Sequence, residues 1–126
     1  MSEMNRILLV DDSAAIRRGL RREFERAGWL VCGEAADGAE ALAKVERLQP
    51  QVILFDLSMP AIHGLTTARR LKRILPEVHL ILFTGHGDLF KSDEANAAGI
   101  SAVFSKSEPI TRLLDKAKSL VGHRAA

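Results

Sequence analysis

The sequence predicts an α/β fold, a doubly wound parallel sheet of five strands with helices on both faces. Three observations predict it. Short runs of consecutive apolar residues recur five times, the pattern of strands buried on both faces. Between them, apolar residues return at three- and four-residue spacing, the stripe of an amphipathic helix. No Gly/Ser-rich linker, internal repeat or low-complexity tract interrupts this alternation. One domain over residues 1–122 is therefore expected, with a loose tail at 123–126 and right-handed crossovers.

Ile7 to Val10 is the first apolar run and stops at two carboxylates, Asp11 and Asp12. Ile16, Leu20, Phe24 and Ala27 form the first helical stripe. Trp29 to Cys32 reads as the second strand. Asp37 and Glu40 form a capping pair ahead of the stripe Leu42, Val45 and Leu48. Val52 to Phe55 is the third strand and ends at Asp56, and Leu65, Ala68, Leu71 and Leu75 follow at helical spacing. Val78 to Phe83 is the fourth strand, ending at Thr84. A polar helix is expected over 88–98, stopped by Gly99 at its C-terminus. It has little apolar surface to pack. Ala102 to Phe104 is a short fifth strand, and Ile110, Leu113, Leu114, Ala117 and Leu120 make the last stripe. Ser107 is a candidate cap for that helix, with Pro109 in its first turn.

Composition narrows the function. The chain has 126 residues, enough for one core, with 47% hydrophobic and 27% charged residues. A net charge of +2 is too small to imply nucleic-acid binding. Arginines cluster at Arg17, Arg18, Arg21 and Arg22 and again at Arg69 and Arg70, and read as solvated helix faces, with a docking surface for a partner as the alternative. Cys32 is the only cysteine, so no internal disulfide can form, which suits a reducing cytoplasm. No signal peptide and no apolar run of membrane-spanning length is present, so a soluble protein is expected.

Ligands of an open parallel sheet sit beyond the carboxyl ends of its strands. Those ends carry Asp11 and Asp12, Asp56, Thr84 and, just past the fifth strand, Lys106. Two like charges about 4 Å apart oppose each other by roughly 4 kcal/mol at an effective dielectric near 20. Three clustered carboxylates therefore call for a cation, and all-oxygen donors suit Mg²⁺. A carboxylate can also act as a nucleophile toward phosphorus, and Asp56, on the central strand, is the best placed. A phosphoryl group on Asp56 would bring metal, ammonium and hydroxyl into use together.

With the acidic pair after an apolar strand, "DLSMPAIHG" at 56–64, "FTG" at 83–85 and Lys106, the chain from about residue 5 to 121 resembles the receiver domain of a two-component response regulator. The resemblance implies a flavodoxin-like (βα)5 fold with strand order 2-1-3-4-5. It implies that Asp56 is the phosphoacceptor. Asp12 and Asp56 would bind Mg²⁺ directly, Asp11 would help through water, and the main-chain carbonyl of Ser58 would be a further ligand. Thr84 and Lys106 would contact the phosphoryl oxygens. The donor would be a phosphohistidine on a partner histidine kinase or phosphotransfer protein, and a downstream output protein or domain would read the altered surface. The domain would assist its own phosphorylation and dephosphorylation without being an enzyme, and would bind neither nucleic acid nor membrane by itself. Self-association into a homodimer is compatible with this reading.

Two positions depart from the family pattern. The place usually held by an aromatic residue, three before the lysine, holds Val103, and Phe104 should face the other side of the sheet. The lysine is followed by Ser107-Glu108-Pro109 rather than by proline directly. An aspartate-nucleophile phosphatase is the alternative, but it usually needs a second aspartate two residues after the nucleophile, where this chain has Ser58. A dinucleotide binder would need a glycine-rich turn after the first strand, and "VDDSAA" offers none. No output module fits in this length, so the chain reads as a stand-alone regulator or a receiver taken from a longer one.

Overall fold

The structure, a computed structural model, describes residues 4–56, 61–84 and 92–122. β1 (Arg6–Val10), β2 (Leu30–Ala35), β3 (Val52–Phe55), β4 (His79–Thr84) and β5 (Ile100–Ser105) alternate with α1 (Ala14–Arg26), α2 (Gly38–Leu48), α3 (Ala61–Ile74), α4 (Ser92–Ala97) and α5 (Ile110–Gly122). All pairings are parallel and the order is β2-β1-β3-β4-β5. The doubly wound sheet and the 2-1-3-4-5 order are as expected.

Strand burial explains the layering. Ile7, Leu8 and Leu9 of β1 and Val52 and Ile53 of β3 are fully buried, because successive side chains enter opposite faces and both faces are covered. Leu8, Val10, Ile53, Phe55, Leu80 and Leu82 pack under α2, α3 and α4. Ile7, Leu9, Leu54 and Ile81 pack under α1 and α5, with Phe24 and Trp29 edge to face at 5.6 Å. Val103 joins the first layer and Phe104 the second, so the two do face opposite sides.

The helix starts follow from local chemistry. Ser13 caps α1, its hydroxyl accepting from the Ile16 amide at 3.2 Å. Asp37 caps α2 by accepting from the Glu40 amide at 2.8 Å. Glu40 reaches back to the Ala36 amide at 2.7 Å, one residue beyond the usual reciprocal bond. A Cβ on Gly38 would lie 2.8 Å from Thr67 Oγ1, so only glycine lets α2 begin this close to α3. Gly99 has φ +87°, the left-handed turn expected after α4.

Several boundaries differ from the sequence reading. β2 runs through Gly33 and Glu34 to Ala35, because the ladder to Leu8, Leu9 and Val10 continues past Cys32. Trp29 precedes β2 and serves as core instead. β4 starts at His79 rather than Val78 and includes Thr84, and β5 spans Ile100–Ser105 rather than 102–104. The described part of the fourth helix is Ser92–Ala97, held by buried Ala95 and Ala98, while 88–91 fall outside the described residues. Ser107 does not cap α5, since its hydroxyl bonds that of Ser105 at 2.8 Å. Pro109 lies just before α5, and its carbonyl accepts from Arg112 at 3.0 Å. The tail at 123–126 is outside the described residues. Among the described residues no helix is long and apolar enough to cross a membrane.

Candidate functional site

The register of β1 against β3 builds the site. Val10 pairs with Phe55, so the residues that follow, Asp11 and Asp56, leave the sheet side by side. Their amides stay on the ladder, Asp56 N–H donating to Val10 at 2.9 Å and Asp11 N–H to Ala35 at 3.0 Å. Both side chains are buried, Asp11 at 1% exposure and Asp56 at 6%. Such burial of acids requires compensation. It comes from Lys106, just past β5, whose ammonium contacts Asp56 Oδ2 and lies 3.7 Å from Asp11 Oδ2.

The compensation is incomplete. Asp11 Oδ1 accepts from the Ser13 amide at 2.8 Å, but the buried Oδ2 has no hydrogen-bond partner. Burial pushes the Asp11 carboxyl up to about 6, and the neighbouring Asp56 adds to this against the Ser13 amide and Lys106. For Lys106, burial pulls the ammonium down, yet the hydrogen bond and charge of Asp56, with Asp11 and Asp12 behind, outweigh it and hold it above its usual value.

Asp12 lies on the rim with its side chain exposed, near enough for its charge to act on Lys106. Thus Asp11 and Asp56 are the two acids that share the ammonium. Among the described residues no set of three acidic, histidine or cysteine side chains is arranged to hold a metal ion. The donor chemistry nonetheless suits a hard divalent cation. Two buried carboxylates share one ammonium with the charge of Asp12 nearby, every donor is oxygen, and the buried Asp11 Oδ2 has no hydrogen bond, its nearest cation being Lys106 at 3.7 Å. Ser58 lies outside the described residues, as does the side chain of Thr84, whose backbone pairs with Ser105.

Sequence reasoning missed a charged web beside this pocket. Arg17 and Arg21 are not simply solvated. Arg17 Nε donates to Glu34 Oε1 at 2.9 Å, and Arg21 Nη2 lies 2.8 Å from Glu34 Oε2. Arg17 Nη1 also donates to the main-chain carbonyl of Asp11, and Lys44 Nζ to that of Glu34 at 2.9 Å. Burial works to raise the Glu34 carboxyl, but the hydrogen bonds from Arg21 and Arg17 prevail and hold it low. Ending the second strand at Cys32 hid Glu34, and its return to the β1 edge is the signal that would have found the web. Arg18, Arg22, Arg69 and Arg70 are exposed, in keeping with solvated faces. An open groove of about 910 Å³ lies at the other end of the sheet, by Pro50, Pro76 and His79, and brings together none of the site residues.

Comparison with known proteins agrees with this fold. A family model, the response regulator receiver domain, matches residues 7–118. The chain is 36% identical over 119 residues to the transcriptional activator protein ExaE of Pseudomonas putida, covering 93% of this chain and 56% of the activator. It is 31% identical to the chemotaxis protein CheY of Thermotoga maritima, covering 87% of this chain and 92% of that protein. The chain thus spans little more than half of the activator but nearly all of the chemotaxis protein. A LuxR-family two-component response regulator from Aurantimonas sp. SI85-9A1 superposes with a TM-score of 0.84 at 33% identity, over 98% of this chain and 90% of that one. A CheY-like receiver domain protein from Methanospirillum hungatei JF-1 gives 0.84 at 31% identity, over 95% and 96%.

Proposed function

Because the chain belongs to the response regulator receiver domain family, we propose that it is a cytoplasmic signalling module switched by phosphorylation of Asp56. The observation that carries this reading is the pair of buried carboxylates, Asp11 and Asp56, sharing the single ammonium of Lys106. The donor is a phosphohistidine on a kinase or phosphotransfer protein. A carboxylate oxygen of Asp56 attacks phosphorus, and the P–N bond breaks with its electron pair leaving on the imidazole nitrogen. Asp12, Asp56 and the main-chain carbonyl of Ser58 would hold Mg²⁺, with Asp11 helping through water, and the ion would supply positive charge against the phosphoryl oxygens. Lys106, already against Asp56, follows those oxygens and stabilises their developing charge. The Thr84 hydroxyl adds a contact made only in the modified state. With valine at position 103, no large ring fills space behind it, so the response spreads through the β4–α4 and β5–α5 connections to a downstream partner.

Mass spectrometry after incubation with acetyl phosphate and Mg²⁺ tests the assignment. One phosphoryl group, retained rather than turned over, should map to Asp56 and vanish in Asp56→Asn. Full labelling of that variant, or labelling of His63 or His86, overturns it, and rapid release with turnover favours a phosphatase. Hydrogen exchange with beryllofluoride should change most in residues 84–98 and 103–108. Uniform change along the chain would place the output surface elsewhere.

A further inference from the structure

The strand β1 ends at Val10, yet both main-chain polar groups of the residue beyond it are hydrogen-bonded. Asp11 is fixed from both sides. Its amide donates to Ala35 of β2 at 3.0 Å, and its carbonyl, outside the ladder, accepts from Arg17 one turn into α1. That guanidinium is itself held, its Nε donating to Glu34 Oε1 at 2.9 Å. Glu34 is anchored in turn by Arg21 at 2.8 Å and, through its own carbonyl, by Lys44 at 2.9 Å. Arg17 is drawn inward, at 17% side-chain exposure against 36% for Arg21. Of the two arginines on Glu34, Arg17 is the one that also bonds Asp11.

We propose that Arg17 is a positioning residue of the pocket: by gripping the Asp11 carbonyl against Glu34, it fixes the peptide joining Asp11 to Asp12. A peptide is planar, so holding its carbonyl sets the direction in which Asp12 leaves and the frame from which both carboxylates project. Arg17 suits this task through its planar fork, which presents nitrogens to two acceptors at once. It does not touch the phosphoryl group and is not a catalytic residue. The inference rests on the reading of Asp11 and Asp12 as metal-holding residues.

Charge and position make opposite predictions, which allows a clean test. Removing a cation beside an acidic pocket should tighten Mg²⁺ binding if Arg17 acted by charge alone. If it acts by position, Mg²⁺ binding weakens roughly tenfold, as when groups orienting a ligand are lost. Calorimetric titration of Mg²⁺ into wild type, Arg17→Ala, Arg17→Lys and Arg21→Lys separates the cases, with circular dichroism to confirm folding. Arg17→Lys keeps the charge and carries the test should Arg17→Ala not fold. Arg21→Lys disturbs the same Glu34 without touching Asp11. We expect weakening in both Arg17 variants and near wild-type affinity in Arg21→Lys. Unchanged affinity in Arg17→Lys, tighter binding in Arg17→Ala, or equal weakening in Arg21→Lys overturns the inference while leaving the proposed function intact. A wild-type protein that binds no Mg²⁺ overturns that function, and this inference with it.

Discussion

Asp11 and Glu34 lie at the ends of adjacent strands, with Val10 pairing to Ala35 and Leu9 to Glu34, yet their environments are opposite. Glu34 has two arginines on its carboxylate, and their bonds hold it low despite partial burial. Asp11 is almost fully buried, shares one distant ammonium with Asp56, and is pushed up to about 6. Two acids so close together show how the edge is divided. At the rim two arginines hold Glu34, whereas in the pocket Asp11 Oδ2 has no hydrogen bond and only Lys106 at 3.7 Å.

The largest effect is expected from removing the pocket's unmet charge. With a folded value near 6 against an ordinary 3.8, Asp11 binds its proton more tightly when folded. The contribution of Asp11 to the stability of the metal-free protein should therefore fall as pH rises from about 4 to about 6, by on the order of 3 kcal/mol. Asp11→Asn should remove most of that decline and raise stability at neutral pH, while weakening Mg²⁺ binding. Urea unfolding across pH in the presence of a chelator measures it. A difference between wild type and Asp11→Asn that does not change over this interval would contradict the account.

Breaking the pocket from its other side should cost less. Lys106→Ala leaves Asp11 and Asp56 without their shared cation. A fully buried pair loses about 3–5 kcal/mol when one partner is removed, and partial exposure of Lys106 should reduce this to about 2 kcal/mol. Chemical denaturation without metal tests this, and added Mg²⁺ should restore much of the loss by binding the folded state alone.

The smallest effect belongs to the rim. Glu34→Gln should lower stability at neutral pH by less than about 1 kcal/mol, since such partly exposed ion pairs contribute little. The sign with pH is opposite to that of Asp11. A carboxyl held low stabilises above its unfolded value of 4.5, and that contribution disappears as pH falls through the folded value. The difference between wild type and Glu34→Gln should therefore shrink in acid and with added salt.

The same contrast shows what the sequence made legible. β3 was read with its bounds intact, because four apolar residues end abruptly at Asp56 and the central strand is covered on both faces. The family motifs led to Asp11, Asp56 and Lys106, and the register brings those three together. Edge elements were harder. β2 continues through Gly33 and Glu34, whose character resembles a loop because an edge strand is only partly covered. Arg17 was grouped with exposed arginines because its two partners lie on the β1 end and on β2, a meeting that no helical spacing encodes. Ser107 looked like a cap from its place before the helix, but Ser105 takes its hydroxyl.

The central claim is that the pocket formed by Asp11, Asp56 and Lys106 takes up a metal and a phosphoryl group together. Thermal unfolding with Mg²⁺, with beryllofluoride as phosphoryl mimic, and with both, tests it most directly in wild type and Asp56→Asn. The account predicts that the combination raises the wild-type midpoint beyond either addition alone, and that this extra rise is absent in Asp56→Asn. An equal rise in Asp56→Asn, or a full beryllofluoride effect without Mg²⁺, would contradict it.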